Sequence, residues 1–283
     1  MNANLIWLAS YPKSGNTWAR IFLANLVVNG DRPIDINAIS KYIAAENDLA
    51  FYEWAAGRPV AGLADRDVNR LRPLAHKVVS DSNAGLQFVK THSTLAVLDG
   101  IPTITPQVTR AAVYFVRNPL DIVVSYAHHN GWPLARTVAL LEDTGARTPT
   151  DDQRAFQFLG TWSQHVDAWT KAKGLKVHVV RYEDMVRQPD DAFGSICRFL
   201  DMPATATQLR KAIDFSAFDV LSAQETEKGF RERVDPSTPF FRKGRVGSWR
   251  EELPDDLVAR VIAAHRPAMR RFGYLTAKGE PVD

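Results

Sequence analysis

Cysteine is nearly absent from this sequence: Cys197 is the only one among 283 residues. A lone cysteine excludes an intrachain disulfide and a cysteine-based metal cluster. Phe193, Ile196 and Leu200 surround it at helical spacing, so we expect Cys197 to be a core residue.

Long apolar runs and a strong charge of one sign are also missing. No stretch approaches 18 apolar residues, and no charged segment followed by an apolar one opens the chain. We therefore expect a soluble, cytoplasmic protein with no membrane partner. Lysine and arginine total 35 against 32 aspartates and glutamates, a net charge of +3. No nucleic-acid partner is expected from this balance, and any basic site must be local.

The apolar content is nevertheless ample, because hydrophobic residues make up 45% of the chain. This length suits one large α/β domain or two small ones. Predicted strands alternate with predicted helices, and no internal repeat is visible. The pattern favours an α/β fold of three layers, with a central parallel sheet covered by helices on both faces.

The first motif is a strand, loop and helix near the start of the chain. An apolar run over Leu5–Ala9 suits a buried strand, and a helical pattern with a stop signal at Asn29 follows the loop over residues 11–17. In such a loop, backbone N–H groups and the positive end of the helix point at the bound group, so the loop favours binding of phosphate. The pattern GxxxxGK[ST] is absent, which excludes a Walker A loop.

A second motif, Lys90-Thr91-His92, follows a short predicted strand over 86–89. Sheets of α/β proteins bind ligands just beyond their strand ends, which makes His92 a candidate site residue. A single histidine is more often a surface residue or a satisfied core residue, so both interpretations stay open here.

A third motif follows the predicted strand over 111–116. Arg117 comes directly after this strand, and Pro119 opens a predicted helix that carries Asp121 and Ser125. The fixed fork of an arginine suits phosphate. An ion pair between Arg117 and Asp121 is the alternative.

The last motif is a cationic loop over residues 241–250 that also contains two glycines. Gly244 would let the backbone approach a phosphate closely. A solvated charged turn is the simpler alternative. The preceding polar segment, 224–239, which includes Pro236, is interpreted as a mobile lid.

Taken together, these motifs resemble those of the sulfotransferases that use 3′-phosphoadenosine-5′-phosphosulfate (PAPS). Residues 10–18 read SYPKSGNTW, against TYPKSGTTW in the family, and residues 90–92 match its KTH segment. Residues 117–129 match RNxxDxxVSYxxH. Residues 242–250 match RKGxxGxWK, with arginine at the last position. The resemblance covers nearly the whole chain, so we predict one domain over 1–283 with a P-loop-like phosphosulfate-binding loop.

The resemblance also implies site residues. His92 would be the general base and Lys13 the main charge stabiliser, with Lys90 and Ser125 in supporting roles. The segment around 216–218 matches only in part, because Ala217 replaces a hydroxyl residue. The implied contacts to the nucleotide are Lys13, Ser14, Gly15, Asn16, Thr17, Trp18, Arg117, Ser125, Tyr182, Ser216, Phe218, Phe241, Arg242, Lys243 and Gly244.

The implied reaction is direct in-line transfer of a sulfuryl group from PAPS to a hydroxyl or amine, without a metal, releasing 3′-phosphoadenosine-5′-phosphate (PAP). The acceptor would be a small molecule. Its identity stays open, although aromatic residues hint at an apolar or aromatic one: Phe51, Tyr52, Trp54, Trp132 and Phe240. A homodimer is possible, but the dimer motif KxxxTVxxxE of animal relatives is not visible. The alternative functions are a nucleotide or small-molecule kinase and a non-catalytic module that binds PAP or PAPS as a sensor.

Overall fold

The computed structural model describes residues 3–235 and 237–282. Within them the strands are β1 (Leu5–Ser10), β2 (Ala44–Ala45), β3 (Gln87–Thr91), β4 (Val97–Leu98), β5 (Ile101–Pro102), β6 (Thr109–Val116) and β7 (Val177–Arg181). The α-helices are α1 (Asn16–Val28), α2 (Leu49–Ala56), α3 (Asp65–Asp81), α4 (Pro119–Asn130), α5 (Leu134–Glu142), α6 (Trp162–Thr170), α7 (Tyr182–Arg187), α8 (Pro189–Phe199), α9 (Ala206–Phe215), α10 (Phe218–Lys228), α11 (Trp249–Glu252) and α12 (Asp255–Arg271). Two 3-10 helices cover Ile36–Lys41 and Pro106–Val108.

A five-stranded sheet has the order β2-β3-β1-β6-β7. β3 pairs in parallel with both β1 and β2, and its register with β1 sets Ala9 opposite Thr91. The predicted central parallel sheet flanked by helices is therefore confirmed. Four of the strands end within or next to a predicted site segment: β1 ends at Ser10, β3 at Thr91, β6 at Val116 and β7 at Arg181.

The chain forms two compact units that alternate along the sequence. The first comprises the described residues of Met1–Tyr11, Ile43–Tyr114 and Asp143–Val179. Arg72 and Glu46 form an ion pair there with both side chains 0% exposed. An unpaired charge in such a core would be strongly unfavourable, so this pair ties α3 to the segment before α2. The apolar core around it is Leu49, Tyr52, Val60, Val68, Ala75, Ala155 and Phe156.

The second unit comprises the described residues of Pro12–Tyr42, Phe115–Glu142 and Val180–Asp283. Its core packs one face of α1 against α10 and the first 3-10 helix, and the rings of Trp18, Phe240 and Phe241 lie against that cluster. The buried members are Ile21, Ala24, Ile34, Ile36, Ile39, Leu221 and Phe230.

Predicted helix ends follow from local chemistry. α1 ends at Asn29, which adopts a left-handed conformation with φ 47°, as its stop signal predicts. α4 begins with Pro119, and the side chain of Asn118 accepts a hydrogen bond from the backbone N–H of Leu120 at 3.1 Å. Cys197 is buried on α8, as its helical spacing predicts.

Two segments differ from the interpretation of the sequence. Residues 49–56, for which no helix is predicted from the sequence, form α2, and Asp48 caps the helix by accepting from the backbone N–H of Ala50 at 3.0 Å. The predicted lid over 224–239 begins inside α10, which ends only at Lys228. The polar composition of 224–228 reflects a half-exposed helix rather than a loop. Pro236 lies outside the described residues.

Candidate active site

The phosphosulfate loop leads from β1 to the start of α1. Lys13 and Gly15 both have left-handed backbone angles, with φ of 68° and 91°. Gly15 is the N-cap of α1, and no side chain caps this end of the helix. The first N–H groups of a helix lack intrahelical partners and carry the positive end of its dipole. This end of α1 can therefore bind an anion.

Three predicted site segments meet at Gly15. A Cβ added there would lie 2.8 Å from Cδ2 of Tyr182, so only glycine lets the loop pass this ring. The guanidinium of Arg117 stacks on the same ring, 4.2 Å from its centre. Arg117 also donates from Nη1 to the backbone oxygen of Lys13 at 2.9 Å. Arg117 thus holds the loop, rather than forming the alternative pair with Asp121.

Several buried polar atoms around this loop have no hydrogen-bond partner among the described residues. They are Oγ of Ser14, Nε1 of Trp18 and Nε of Arg117. A buried donor without a partner costs about 1–3 kcal/mol. All three are donors, and they belong to three predicted nucleotide contacts. This donor set fits a ligand that is rich in anionic oxygens, such as PAPS.

The cationic loop is fixed to the same unit. Its backbone donates to the carboxylate of Asp121 from the N–H groups of Gly247 at 2.9 Å and Trp249 at 3.1 Å. A Cβ on Gly244, which has φ 59°, would lie 2.2 Å from Cδ2 of Phe218. The loop backbone therefore lies directly on the Phe218 ring, and this brings two predicted nucleotide contacts together.

The cations of this loop have carboxylate partners that the sequence interpretation missed. Arg242 donates to both oxygens of Glu252 at 2.8 and 3.2 Å, and Lys243 donates to Glu252 at 2.6 Å. Partial burial raises the pKa of Glu252, but hydrogen bonds from Arg242, Lys243 and His128 outweigh this and lower it to about 2. A phosphate at this loop would share its cations with Glu252.

The remaining predicted contacts have varied surroundings. The ammonium of Lys13 lies 3.8 Å from the centre of the Phe240 ring. Ser216 is buried, and its hydroxyl donates to the carbonyl oxygen of Ala212 at 2.9 Å. Ser125 is half-buried on α4.

Oγ1 of Thr17 accepts from Arg20, which also binds Glu232 with two hydrogen bonds. Phe241 packs against Phe230, with ring centres 5.4 Å apart. The roles of these residues in nucleotide binding stay predictions.

His92 lies in the first unit, immediately after β3. Its Nδ1 is 2.8 Å from the backbone oxygen of Ser10 and 3.2 Å from the hydroxyl of the same residue. A carbonyl oxygen only accepts hydrogen bonds, so Nδ1 carries a proton, and in the neutral ring Nε2 then carries the lone pair. This tautomer suits a general base that acts through Nε2. Lys90, two residues earlier, is half-buried on the same strand.

A buried polar network supports the residues next to His92. The carboxylate of Glu46 accepts from the hydroxyls of Thr91 at 3.2 Å and Ser93 at 3.3 Å, and from the amide of Gln157 at 2.5 Å. Sequence reasoning missed this network, because its members lie far apart in the chain and belong to no motif.

The model of the sulfotransferase domain family matches residues 4–273. The chain belongs to this family. It is accordingly a PAPS-dependent enzyme that transfers sulfuryl groups, as the motifs predict. A curated relative, the flavonol 3-sulfotransferase of Flaveria bidentis, is 23% identical over 277 residues, which cover 91% of this chain and 79% of the relative.

Solved structures share the fold of this sulfotransferase. A retinol dehydratase in complex with androsterone and the inactive cofactor PAP has a TM-score of 0.68 at 17% identity, over 95% of this chain and 82% of its own. A mouse sulfotransferase complexed with PAP has a TM-score of 0.61 at 20% identity, over 99% and 88% of the two chains. The predicted α/β architecture is thus confirmed from the comparison as well.

No helix within 3–235 and 237–282 is long and apolar enough to cross a bilayer. In the same ranges, no three His, Cys, Asp or Glu side chains are grouped so that they could hold a metal ion.

Proposed function

We propose that this sulfotransferase transfers the sulfuryl group of PAPS directly, in line, to a hydroxyl or amine of a small apolar or aromatic acceptor and releases PAP. One observation carries the proposal. Three buried donors, on Ser14, Trp18 and Arg117, have no partner among the described residues, and they surround a left-handed loop at the uncapped start of α1. Such an array is suited to the oxygens of a phosphosulfate.

The loop residues would stabilise charge during the transfer. PAPS supplies the sulfuryl group, and its sulfur–oxygen bond to phosphate breaks while the acceptor oxygen bonds to sulfur. Lys13 and the N–H groups at the start of α1 would stabilise the negative charge that develops on the leaving phosphate oxygen. Positioning and charge stabilisation dominate in the related transfer of phosphoryl groups.

The second phosphate would bind on the same unit. Arg117, Ser125 and the loop of Arg242, Lys243 and Gly244 are the proposed ligands of the 3′-phosphate. The contact of Gly244 with Phe218 would place the loop backbone beside an adenine ring packed on that side chain. Tyr182 and Ser216 are retained as proposed contacts of the adenosine. A 3′-phosphate site is the feature that separates a PAPS enzyme from one that uses ATP.

His92 is the proposed base. With the proton on Nδ1 donated to the backbone of Ser10, the Nε2 lone pair can take the proton of the acceptor as its oxygen or nitrogen bonds to sulfur. Lys90 is proposed to stabilise charge as a secondary group.

The class of acceptor is proposed from aromatic residues and from relatives. Tyr52 is buried on α2, whereas Trp54 on the same helix is 74% exposed. Trp132 and Phe240 both lie against the aromatic rings of α4. The similar proteins include a flavonol 3-sulfotransferase and a retinol dehydratase bound to retinol or androsterone. These names point to ring-containing or extended apolar alcohols, and we propose that class here.

A thermal-shift titration with PAP, with ADP as control, tests the nucleotide site. A ligand that binds only the folded state adds about 2.7 kcal/mol of stability at 100 times its Kd. A large shift with PAP and little with ADP is expected. Equal shifts, or a shift with ADP alone, would contradict the 3′-phosphate site and favour the kinase alternative.

Turnover of a panel of phenols and apolar alcohols then tests the chemistry. His92→Ala and Lys13→Ala should each lose about 10²–10⁴-fold in kcat while remaining folded. Lys228→Ala, which alters an exposed ion pair in the second unit, is the control and should retain its kcat. Tight PAP binding without turnover of any acceptor would instead support a non-catalytic sensor.

A further inference from the structure

Side chains of helix α6 donate hydrogen bonds to the backbone at His92, the proposed base, and at the next residue. His165 donates from Nε2 to the carbonyl oxygen of His92 at 2.9 Å, and Trp169 donates from Nε1 to that of Ser93 at 3.1 Å. The two donors lie one turn apart on α6, and the two acceptors are consecutive residues. All four residues belong to the first unit.

The tautomer of His165 follows from its two neighbours. The carbonyl oxygen of His92 only accepts, so Nε2 of His165 must carry a proton. In the neutral ring Nδ1 is then an acceptor, and it receives the hydroxyl proton of Tyr114 at 2.9 Å. Burial lowers the pKa of His165 to about 4, although the hydrogen bond to His92 opposes this. The ring is therefore neutral at ordinary pH, with one hydrogen bond at each nitrogen.

The bond from His165 holds the carbonyl end of the peptide group between His92 and Ser93. Ser10 holds the imidazole of His92, while the side chains of Thr91 and Ser93 are held by Glu46. At the other end of the same peptide group, the N–H of Ser93 donates to Oγ1 of Thr91 at 3.0 Å, so the bond from His165 is the second restraint on its orientation. If this peptide group rotates, the backbone angle of His92 changes and Nε2 of the base moves. A displacement of about 1 Å can cost roughly 100-fold in rate.

We propose that His165 is a positioning residue for the base His92: it holds the His92 carbonyl through Nε2–H, in the tautomer set by Tyr114. The inference rests on the proposed role of His92 but names a residue outside every motif. A purely structural role is the competing explanation, since His165 also packs edge-on against Tyr11 with ring centres 5.4 Å apart.

Two matched variants separate these explanations. In His165→Gln the side-chain amide can reach the position of Nε2–H and still donate to the His92 carbonyl. In His165→Asn the amide reaches only the position of Nδ1, so that donor is lost. Both variants introduce a buried amide, and both should lose stability to a similar degree. Only the asparagine variant should lose kcat, by about 10- to 100-fold, with the KM for PAPS unchanged.

The pH profile of kcat and the ¹⁵N chemical shifts of His92 supply the decisive readouts. In the wild type and in His165→Gln, we expect the Nδ1–H tautomer of His92 and the same apparent pKa on the limb that the base controls. In His165→Asn, we expect a mixture of tautomers and a shifted limb. His265→Ala removes another buried histidine, from α12 in the second unit, and should lower stability without changing either readout.

The outcomes are distinguishable. Equal kcat and identical His92 shifts in the glutamine and asparagine variants would overturn the proposal. If the wild type turned over no acceptor, the proposed function would fail, but the NMR comparison would still decide whether His165 sets the His92 tautomer. If both variants were unfolded, Tyr114→Phe would decide, because it removes only the hydroxyl. A several-fold loss of kcat with altered His165 shifts is expected, and no change would overturn the proposal.

Discussion

Gly244 offers a sharp test of how the cationic loop is built. The variant Gly244→Ala adds one methyl group to a residue with φ 59°, at a point where the new carbon would lie 2.2 Å from Cδ2, 2.5 Å from Cγ and 2.8 Å from Cε2 of Phe218. The clash involves Cγ, the ring atom bonded to Cβ, as well as two atoms at the ring edge. A simple rotation of the Phe218 ring therefore does not relieve it.

Two costs add. A left-handed backbone costs a residue with a Cβ about 1–2 kcal/mol, and overpacking adds about 1–3 kcal/mol. Gly273→Ala isolates the first cost, because this glycine in the same unit has φ 73° and nothing within 4 Å of an added Cβ. The difference between the two variants is therefore the clash alone, about 1–3 kcal/mol.

Urea unfolding and PAP titration of both variants measure this difference. We expect Gly273→Ala to bind PAP like the wild type. Gly244→Ala should bind it about 5- to 150-fold more weakly if the loop yields instead of Phe218, since each 1.4 kcal/mol is a factor of ten. If the two variants matched in both unfolding free energy and PAP affinity, the close approach of this loop to Phe218 would be refuted.

Three further predictions concern buried ionisable side chains. Glu46→Ala leaves Arg72 as an unpaired charge in the core and should lower the unfolding free energy by about 3–5 kcal/mol in urea titrations; a change below about 1 kcal/mol would contradict the burial of the pair. A double-mutant cycle with Arg20→Met and Glu232→Gln should give a coupling energy of about 1–3 kcal/mol, because the guanidinium is 2% exposed; zero coupling would class it with surface pairs. His165 has its pKa lowered to about 4 from 6.5. The burial of the neutral ring therefore contributes to the unfolding free energy fully above pH 6.5. This contribution is lost as the pH falls toward 4, by about 3 kcal/mol in total. His165→Gln should show a smaller loss over this interval than the wild type, and an equal loss would contradict the neutral buried ring.

The local motifs were predictable because they use short-range chemistry. The loop at Lys13 is recognisable from a strand, a glycine and a helix start within a few residues. The end of α1 at Asn29 and the start of α4 at Pro119 likewise depend on backbone preferences of single residues. Helix α2 was missed, since its eight residues carry aromatic side chains on several faces and show no clear helical period.

The partners of the charged residues could not be predicted. Arg242 and Lys243 are consistent with a phosphate clamp or with a solvated turn, and the sequence does not reveal that Glu252 binds both. The same holds for Arg20, whose partner Glu232 lies 212 residues away in the chain. A charged side chain has the same local pattern whether its partner is water, a ligand or another residue.

The sequence by itself determined the family, the strand ends that carry the motifs and the identity of the proposed base. Those properties depend on neighbouring residues, so a linear pattern can encode them. Only the tertiary structure decided which nitrogen of His92 carries the proton, and that His165, 73 residues away, holds its carbonyl. Hydrogen bonds of this kind depend on strand register and helix packing to within a few tenths of an ångström, and no local pattern specifies such distances.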